Sequence, residues 1–101
     1  MKVLFICNQN QNRSKTAEKL FKGRFNTKSA GLYNGIPVTK KLLSWADVVV
    51  VMEDGQRSEI AERFPDTYVQ KRIISLNISD VYHYNQPELI SILSSKVNEL
   101  L

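Results

Sequence analysis

One cysteine and one arginine near the start of the chain have the spacing of a phosphate-binding loop. Cys7 ends an apolar run, a polar stretch follows, and Arg13 and Ser14 then open a helical pattern. Backbone N–H groups in a loop of that length can form a nest for a tetrahedral anion, and the next helix adds partial positive charge. Arg13 can donate two parallel hydrogen bonds to phosphate oxygens. These surroundings, with the Ser14 hydroxyl, favour an ionised sulfur.

The residues between Cys7 and Arg13 suit a tightly curved backbone. Asparagine tolerates left-handed backbone better than most non-glycine residues, and the Asn10 side chain can bond neighbouring loop atoms. The spacing also allows a plainer interpretation, in which Cys7 is a small buried hydrophobe and Arg13 begins a solvated helix. We favour an anion-binding loop that comprises Asn8, Gln9, Asn10, Gln11, Asn12, Arg13 and Ser14.

The elements that must position this loop alternate between strand and helix. Apolar runs predict strands over residues 3–7 and 48–52, with further strands expected at 27–32 and within 72–78. Helical spacing covers residues 14–25, 38–45 and 56–64, and a last helix is expected to start with a capping box at Asn85 and Glu88. Asp54 is interpreted as the cap of the third helix. The pattern predicts an α/β fold with a parallel sheet and helices on both faces.

Parallel sheets bind ligands at the carboxyl ends of their strands. That rule selects the loops after Cys7, Met52 and Ile78 as the candidate site. The chain has 101 residues, which favours a single domain over 1–101.

Composition narrows the class of protein further. One cysteine and one histidine argue against a disulfide framework and a metal centre, and no cofactor is expected. The net charge of +4 suits an anionic substrate but is too small to indicate nucleic-acid binding. The first apolar run is too short for a signal peptide or a membrane span, so we expect no membrane partner. A cytoplasmic setting, where a lone thiol stays free, is expected.

The sequence resembles the low-molecular-weight protein tyrosine phosphatases, and within them a short branch of predicted phosphatases. The resemblance is strongest over residues 3–18 and continues at 29–31, at 46–52 and at Asp80 with the tyrosines that follow. It implies a flavodoxin-like three-layer α/β/α sandwich with a four-stranded parallel sheet in the order 2-1-3-4. The matched loop positions include Asn10, Arg13, Ser14, Ala17 and Glu18.

This resemblance implies a cysteinyl-phosphate mechanism. Cys7 would attack phosphorus, Arg13 and the loop amides would hold the phosphate oxygens, and Asp80 would act as general acid and base. Tyr82 and Tyr84 are candidates for lining the substrate cleft, although either could simply pack against the sheet. The expected substrate is a phosphorylated protein or a small phosphate ester, with phosphate, sulfate or vanadate also binding the loop.

Other carboxylates compete with Asp80 for the role of acid. Asp47 begins a strand and therefore lies at the wrong end of the sheet, whereas Glu53 and Asp54 follow a strand at the correct end. Glu53 is the reserve candidate, since Asp54 is taken as a helix cap.

The chain also departs from the family pattern. Gln9 stands where the loop usually has glycine, Asn12 replaces a second cysteine, and Val81 replaces the proline that usually follows the acid. These departures and the net charge of +4 leave room for a catalytically weak or inactive phosphate-binding module that recognises a phosphorylated partner or RNA. An arsenate reductase that relays a disulfide would need more cysteines, and the cysteine-phosphorylated carriers of sugar transport lack the loop arginine.

Overall fold

A computed structural model describes residues 1–101. Its four strands form one parallel sheet in the order β2-β1-β3-β4. The predicted strand order and the parallel direction are therefore confirmed. The strands are β1 (Lys2–Cys7), β2 (Asn26–Gly31), β3 (Val48–Val51) and β4 (Arg72–Ser75).

Helices cover both faces of this sheet, as predicted. They are α1 (Arg13–Phe21), α2 (Lys40–Trp45), α3 (Asp54–Arg63), α4 (Pro65–Gln70) and α5 (Pro87–Leu100). Helices α1 and α5 pack on one face around Phe5 and Leu93, and α2, α3 and α4 pack on the other around Leu4 and Ile60. None of the helices combines the length and apolar character needed to cross a membrane.

The central strands are buried, apart from Lys2 at the start of β1, because they are covered on both faces. Successive side chains of a strand point to opposite faces, so Val3, Phe5 and Cys7 join the core beneath α1 and α5. Leu4 and Ile6 join the core on the other side. The continuous apolar runs of β1 and β3 follow directly from this double coverage.

Two sequence predictions about helices need correction. Four helices were expected, but Pro65 begins the additional helix α4 instead of only ending α3, because proline is well tolerated at the first helical position. The helix expected over 14–25 begins one residue earlier, at Arg13, and ends at Phe21.

The predicted helix caps are also wrong. Helix α5 begins at Pro87 with Gln86 as its cap residue, and Asn85 has a left-handed φ of 60° outside the helix. The Asn85 amide donates instead to the Thr16 hydroxyl at 2.8 Å. Helix α3 is capped at Glu53, so Asp54 is its first helical residue.

Candidate active site

The Cys7 sulfur lies at the carboxyl end of β1 and is held by two polar contacts. The Asn10 amide donates to Sγ at 3.2 Å, and the Ser14 Oγ lies 3.0 Å from it. Only 3% of Cys7 is exposed. Hydrogen bonds to the charged form of a thiol favour that form, so this arrangement suits a thiolate nucleophile.

Asn10 decides how the Ser14 hydroxyl is oriented. Its Nδ2 donates to Ser14 Oγ at 3.0 Å, so the hydroxyl hydrogen is free to be donated to the sulfur. Its Oδ1 accepts the Ile36 amide at 3.1 Å. The backbone of Asn10 is left-handed, with φ of 51°, as the asparagine-rich loop suggested. Asn10 is therefore a buried link between the loop, α1 and the segment after β2.

Two glycines, one at the end of β2 and one after it, make room for Asn10. A Cβ on Gly35 would lie 2.6 Å from the Asn10 Cβ, and φ at this glycine is +74°. A Cβ on Gly31 would lie 2.9 Å from the same atom and 1.9 Å from the Asn34 carbonyl oxygen. Only glycine fits such close approach of two backbone segments, so these positions are part of the loop's support.

The outside of the loop is bonded to the segment after β2. The carbonyls of Cys7 and Asn8 accept the amides of Leu32 and Tyr33 at 3.0 and 2.9 Å. The amides of four loop residues have no acceptor in the chain and remain available to an anion; they are those of Asn8, Gln9, Gln11 and Asn12.

Arg13 is almost completely buried, with 1% of its side chain exposed, and it is anchored through one nitrogen. Nη1 donates to Glu53 Oε1 at 2.6 Å and to the Ile78 carbonyl at 2.7 Å. Nε has no hydrogen-bond partner although it is buried, and Asp80 Oδ1 lies 3.6 Å from it. A buried donor left unsatisfied is costly, and an anion in the loop would supply its acceptor.

Glu53 and Asp80 stand in different environments around the same guanidinium. Glu53 receives the short charged hydrogen bond from Arg13, and 39% of its side chain is exposed. Asp80 makes only the longer ion contact, and 53% of its side chain is exposed. Glu53 is thus held directly by Arg13, whereas Asp80 is more exposed and makes only the longer contact.

Gln56 ties the second loop of the site to the first. Its buried Oε1 accepts the amides of Met52 and Glu53 at 2.8 and 3.0 Å. Its Nε2 donates to Asn8 Oδ1 at 3.1 Å. The sequence prediction missed this residue, although a glutamine three positions after the helix cap is a recognisable capping signal.

The structure brings three predicted loops together, and it places Tyr82 and Tyr84 in different surroundings. The loops after β1, β3 and β4 meet at Arg13 through Glu53 and Ile78. Tyr82 packs against the core beneath α1 and α5. Tyr84 lies over Lys19, with Nζ 5.9 Å from the ring centroid. It lines a cavity along α1 in which the Cys7 loop takes no part.

Residues farther from the Cys7 loop occupy defined positions as well. The Ser29 hydroxyl donates to Glu18 Oε1 at 2.7 Å and so supports α1 from β2. Asp47 accepts the Lys2 amide at 2.8 Å, at the end of the sheet remote from the loop. His83 is exposed.

Solved structures with the same fold cover nearly the whole chain. The tyrosine phosphatase Wzb from Escherichia coli K30, in complex with phosphate, matches 98% of this chain and 94% of its own, with 19% identity and a TM-score of 0.79. A low molecular weight protein tyrosine phosphatase from T. tengcongensis matches 100% and 99%, with 21% identity and a TM-score of 0.76. The YwlE arginine phosphatase from Geobacillus stearothermophilus matches 98% and 84%, with 22% identity and a TM-score of 0.68.

Sequence-level comparisons find less. No family model matches the chain, and no curated protein sequence matches it. The structural likeness confirms the fold that the sequence resemblance implied: the chain has the low-molecular-weight protein tyrosine phosphatase fold. Because a fold does not by itself name a reaction, the activity depends on the site.

Proposed function

We propose that this chain is a cysteine-dependent phosphomonoester hydrolase of the protein tyrosine phosphatase type. The observation that carries the proposal is that Arg13 Nε is buried without a hydrogen-bond partner. Four backbone amides of the loop before Arg13 likewise have no acceptor in the chain. Together these donors have the chemistry of a phosphate cradle. The Cys7 sulfur and its hydroxyl partner on Ser14 supply the nucleophile.

In the first step the Cys7 thiolate attacks phosphorus. A sulfur–phosphorus bond forms as the bond from phosphorus to the leaving oxygen breaks. Arg13 and the loop amides stabilise the charge on the three equatorial oxygens. Asp80 donates its proton to the leaving oxygen, which departs as an alcohol.

In the second step water attacks the cysteinyl-phosphate. The Asp80 carboxylate accepts a proton from that water, the sulfur–phosphorus bond breaks, and inorganic phosphate leaves with the thiolate regenerated. The assignment of Asp80 is supported by its exposure and by the engagement of Glu53 with Arg13. No cofactor is required by this sequence of steps, and a reducing cytoplasm would keep the lone thiol free.

The substrate is proposed to be a phosphorylated protein or a small phosphate ester. Solved structures of the same fold are named as tyrosine phosphatases and as an arginine phosphatase, and the first of these holds phosphate. Both phosphorylated side chains present the same dianionic group to the loop. We favour phosphotyrosine because the sequence resemblance is to the tyrosine phosphatases.

Hydrolysis of an aryl phosphate tests the proposal directly. The purified protein should hydrolyse p-nitrophenyl phosphate, vanadate should inhibit it, and Cys7→Ser should abolish turnover. The control is Ser44→Ala, an exposed change on α2 that should leave the rate unchanged. A chain that binds inorganic phosphate without any turnover would contradict the proposal and indicate a phosphate-recognition module.

A further inference from the structure

A second cationic feature lies along the outer side of α1. A cavity of about 410 Å³ is lined by Lys15, Lys19 and Lys22 together with Glu18, Thr27 and Tyr84. Three ammonium groups therefore face one carboxylate.

That single carboxylate does not neutralise the lysines. Glu18 Oε1 accepts the Ser29 hydroxyl at 2.7 Å. The ion pairs of the chain involve Arg13 and Arg63 only, so none of the three lysines has an acidic partner. Lys19 and Lys22 are exposed, and Lys15 is half-buried. The cavity therefore carries uncompensated positive charge.

Two chain connections link the cavity lining to the candidate active site. Lys15 lies two residues after Arg13 on the same helix. Tyr84 belongs to the segment that starts at Asp80, which lies beside Arg13. This segment is joined to α1 by the hydrogen bond from the Asn85 amide to the Thr16 hydroxyl. A chain that places a phosphorylated residue at Cys7 could therefore continue along α1.

We propose that this cavity binds an acidic segment next to the phosphorylated residue of a protein substrate. The inference rests on the proposed phosphatase function and adds the class of sequence that the enzyme prefers. The rise along α1 separates Lys15 from Lys19 by about 6 Å and Lys19 from Lys22 by about 4.5 Å. Alternate residues of an extended peptide lie about 6.6 Å apart, so carboxylates on alternate positions match the separation of Lys15 from Lys19.

A peptide fits these features better than RNA does. Proteins that bind single-stranded nucleic acid combine a positive groove with several aromatic rings on which bases stack. Here Tyr84 is the cavity's only aromatic residue, and Lys19 Nζ lies over its ring. Lysines also act as point charges toward single carboxylates, without the fork that arginine offers to phosphates.

Matched phosphotyrosine peptides test the inference. One peptide carries Asp or Glu at alternate positions on both sides of the phosphotyrosine, and the other carries Asn or Gln there. We expect kcat/KM to be about 3- to 10-fold higher for the acidic peptide at low salt, as expected for a few exposed ion pairs. The preference should disappear near 0.5 M salt, where the Debye length falls to a few ångströms.

The double variant Lys19→Gln, Lys22→Gln should lose the preference and keep its rate on p-nitrophenyl phosphate. The control Lys40→Gln, Lys41→Gln removes the same charge from α2, on the opposite face of the sheet, and should keep the preference. Equal kcat/KM for both peptides, with normal hydrolysis of p-nitrophenyl phosphate, would overturn the inference and leave the proposed function intact.

Binding provides a readout that does not need turnover. The Cys7→Ser protein should bind the acidic phosphopeptide about 3- to 10-fold more tightly than the neutral one, and the lysine variant should remove the difference. Loss of all hydrolysis with this binding difference retained would count against the proposed function only. Tighter binding of a uridine oligonucleotide than of the acidic peptide, abolished by the same lysine variant, would overturn the inference in favour of RNA.

Discussion

Arg13 and Glu53 form a charged hydrogen bond of 2.6 Å between two residues that are forty positions apart in the chain. The bond uses Nη1, so it fixes the guanidinium while Nε stays without a partner. We therefore propose that Glu53 positions the Arg13 guanidinium, and Glu53 stays the reserve candidate for the acid. The Ile78 carbonyl completes the anchor from the loop after β4.

Replacing Glu53 by Gln should weaken the anchor without removing the proton donor. A charged hydrogen bond contributes about 1.5–3 kcal/mol, so we expect kcat/KM to fall roughly tenfold or more, equally for substrates with good and poor leaving groups. Steady-state kinetics with a series of aryl phosphates measures this. Glu59→Gln is the control, because it breaks a surface ion pair with Arg63 on the same helix and should change little.

Asp80→Asn should instead produce a loss that depends on the leaving group. General acid catalysis contributes about 10²–10⁴-fold, and it matters most when the departing oxygen is strongly basic. We therefore expect a large fall in kcat/KM with phenyl phosphate and a much smaller one with p-nitrophenyl phosphate. Leaving-group dependence in Glu53→Gln and none in Asp80→Asn would transfer the acid role to Glu53.

Gly35→Ala should destabilise the fold and impair the loop together. The new Cβ would approach the Asn10 Cβ at 2.6 Å, and the backbone is left-handed there. Such strain costs on the order of 1–3 kcal/mol, which chemical denaturation should reveal along with a lower kcat/KM. Gly55→Ala is the matched control, since nothing lies within 4 Å of its added Cβ. Equal stabilities of the two variants would refute the predicted packing.

Gln56→Ala should leave two buried amides without their acceptor. The Met52 and Glu53 amides would both lose Oε1, and an unsatisfied buried group costs about 1–3 kcal/mol. The measurement is the free energy of unfolding, with the exposed Gln70→Ala as control. Equal losses of stability in Gln56→Ala and Gln70→Ala would argue against these bonds.

Glu88 should titrate below the usual range of a glutamate. The hydrogen bond from its backbone at the start of α5, helped by the Gln86 side chain, lowers the pKa of this exposed carboxyl. Because its pKa is lower in the folded state than in the unfolded state, ionised Glu88 stabilises the fold at pH values above the unfolded-state pKa. This stabilisation disappears as the pH falls through the folded-state pKa. An NMR titration should show the low pKa in the native chain and a partial return in Gln86→Ala. An ordinary value in the native chain would contradict the contact.

Local patterns predicted much of this architecture. The apolar runs of β1 and β3 and the repeat of Leu89, Leu93 and Val97 on α5 reflect which faces are buried, and that information lies in neighbouring residues. The helix bounds were less predictable because Pro65 can either end one helix or begin another. The cap at Asn85 failed because its amide has a distant partner, Thr16, that no local pattern reveals.

The sequence by itself determined the strand, the loop and the helix that carry Cys7, Arg13 and Ser14, because these residues are close in the chain and their spacing sets their geometry. Only the tertiary structure decided that Glu53 anchors Arg13, that Gln56 joins Asn8, and that Tyr84 lies beside Lys19 of α1. Those contacts depend on the strand order and on how each loop crosses the sheet edge, which bring together side chains that no local pattern relates.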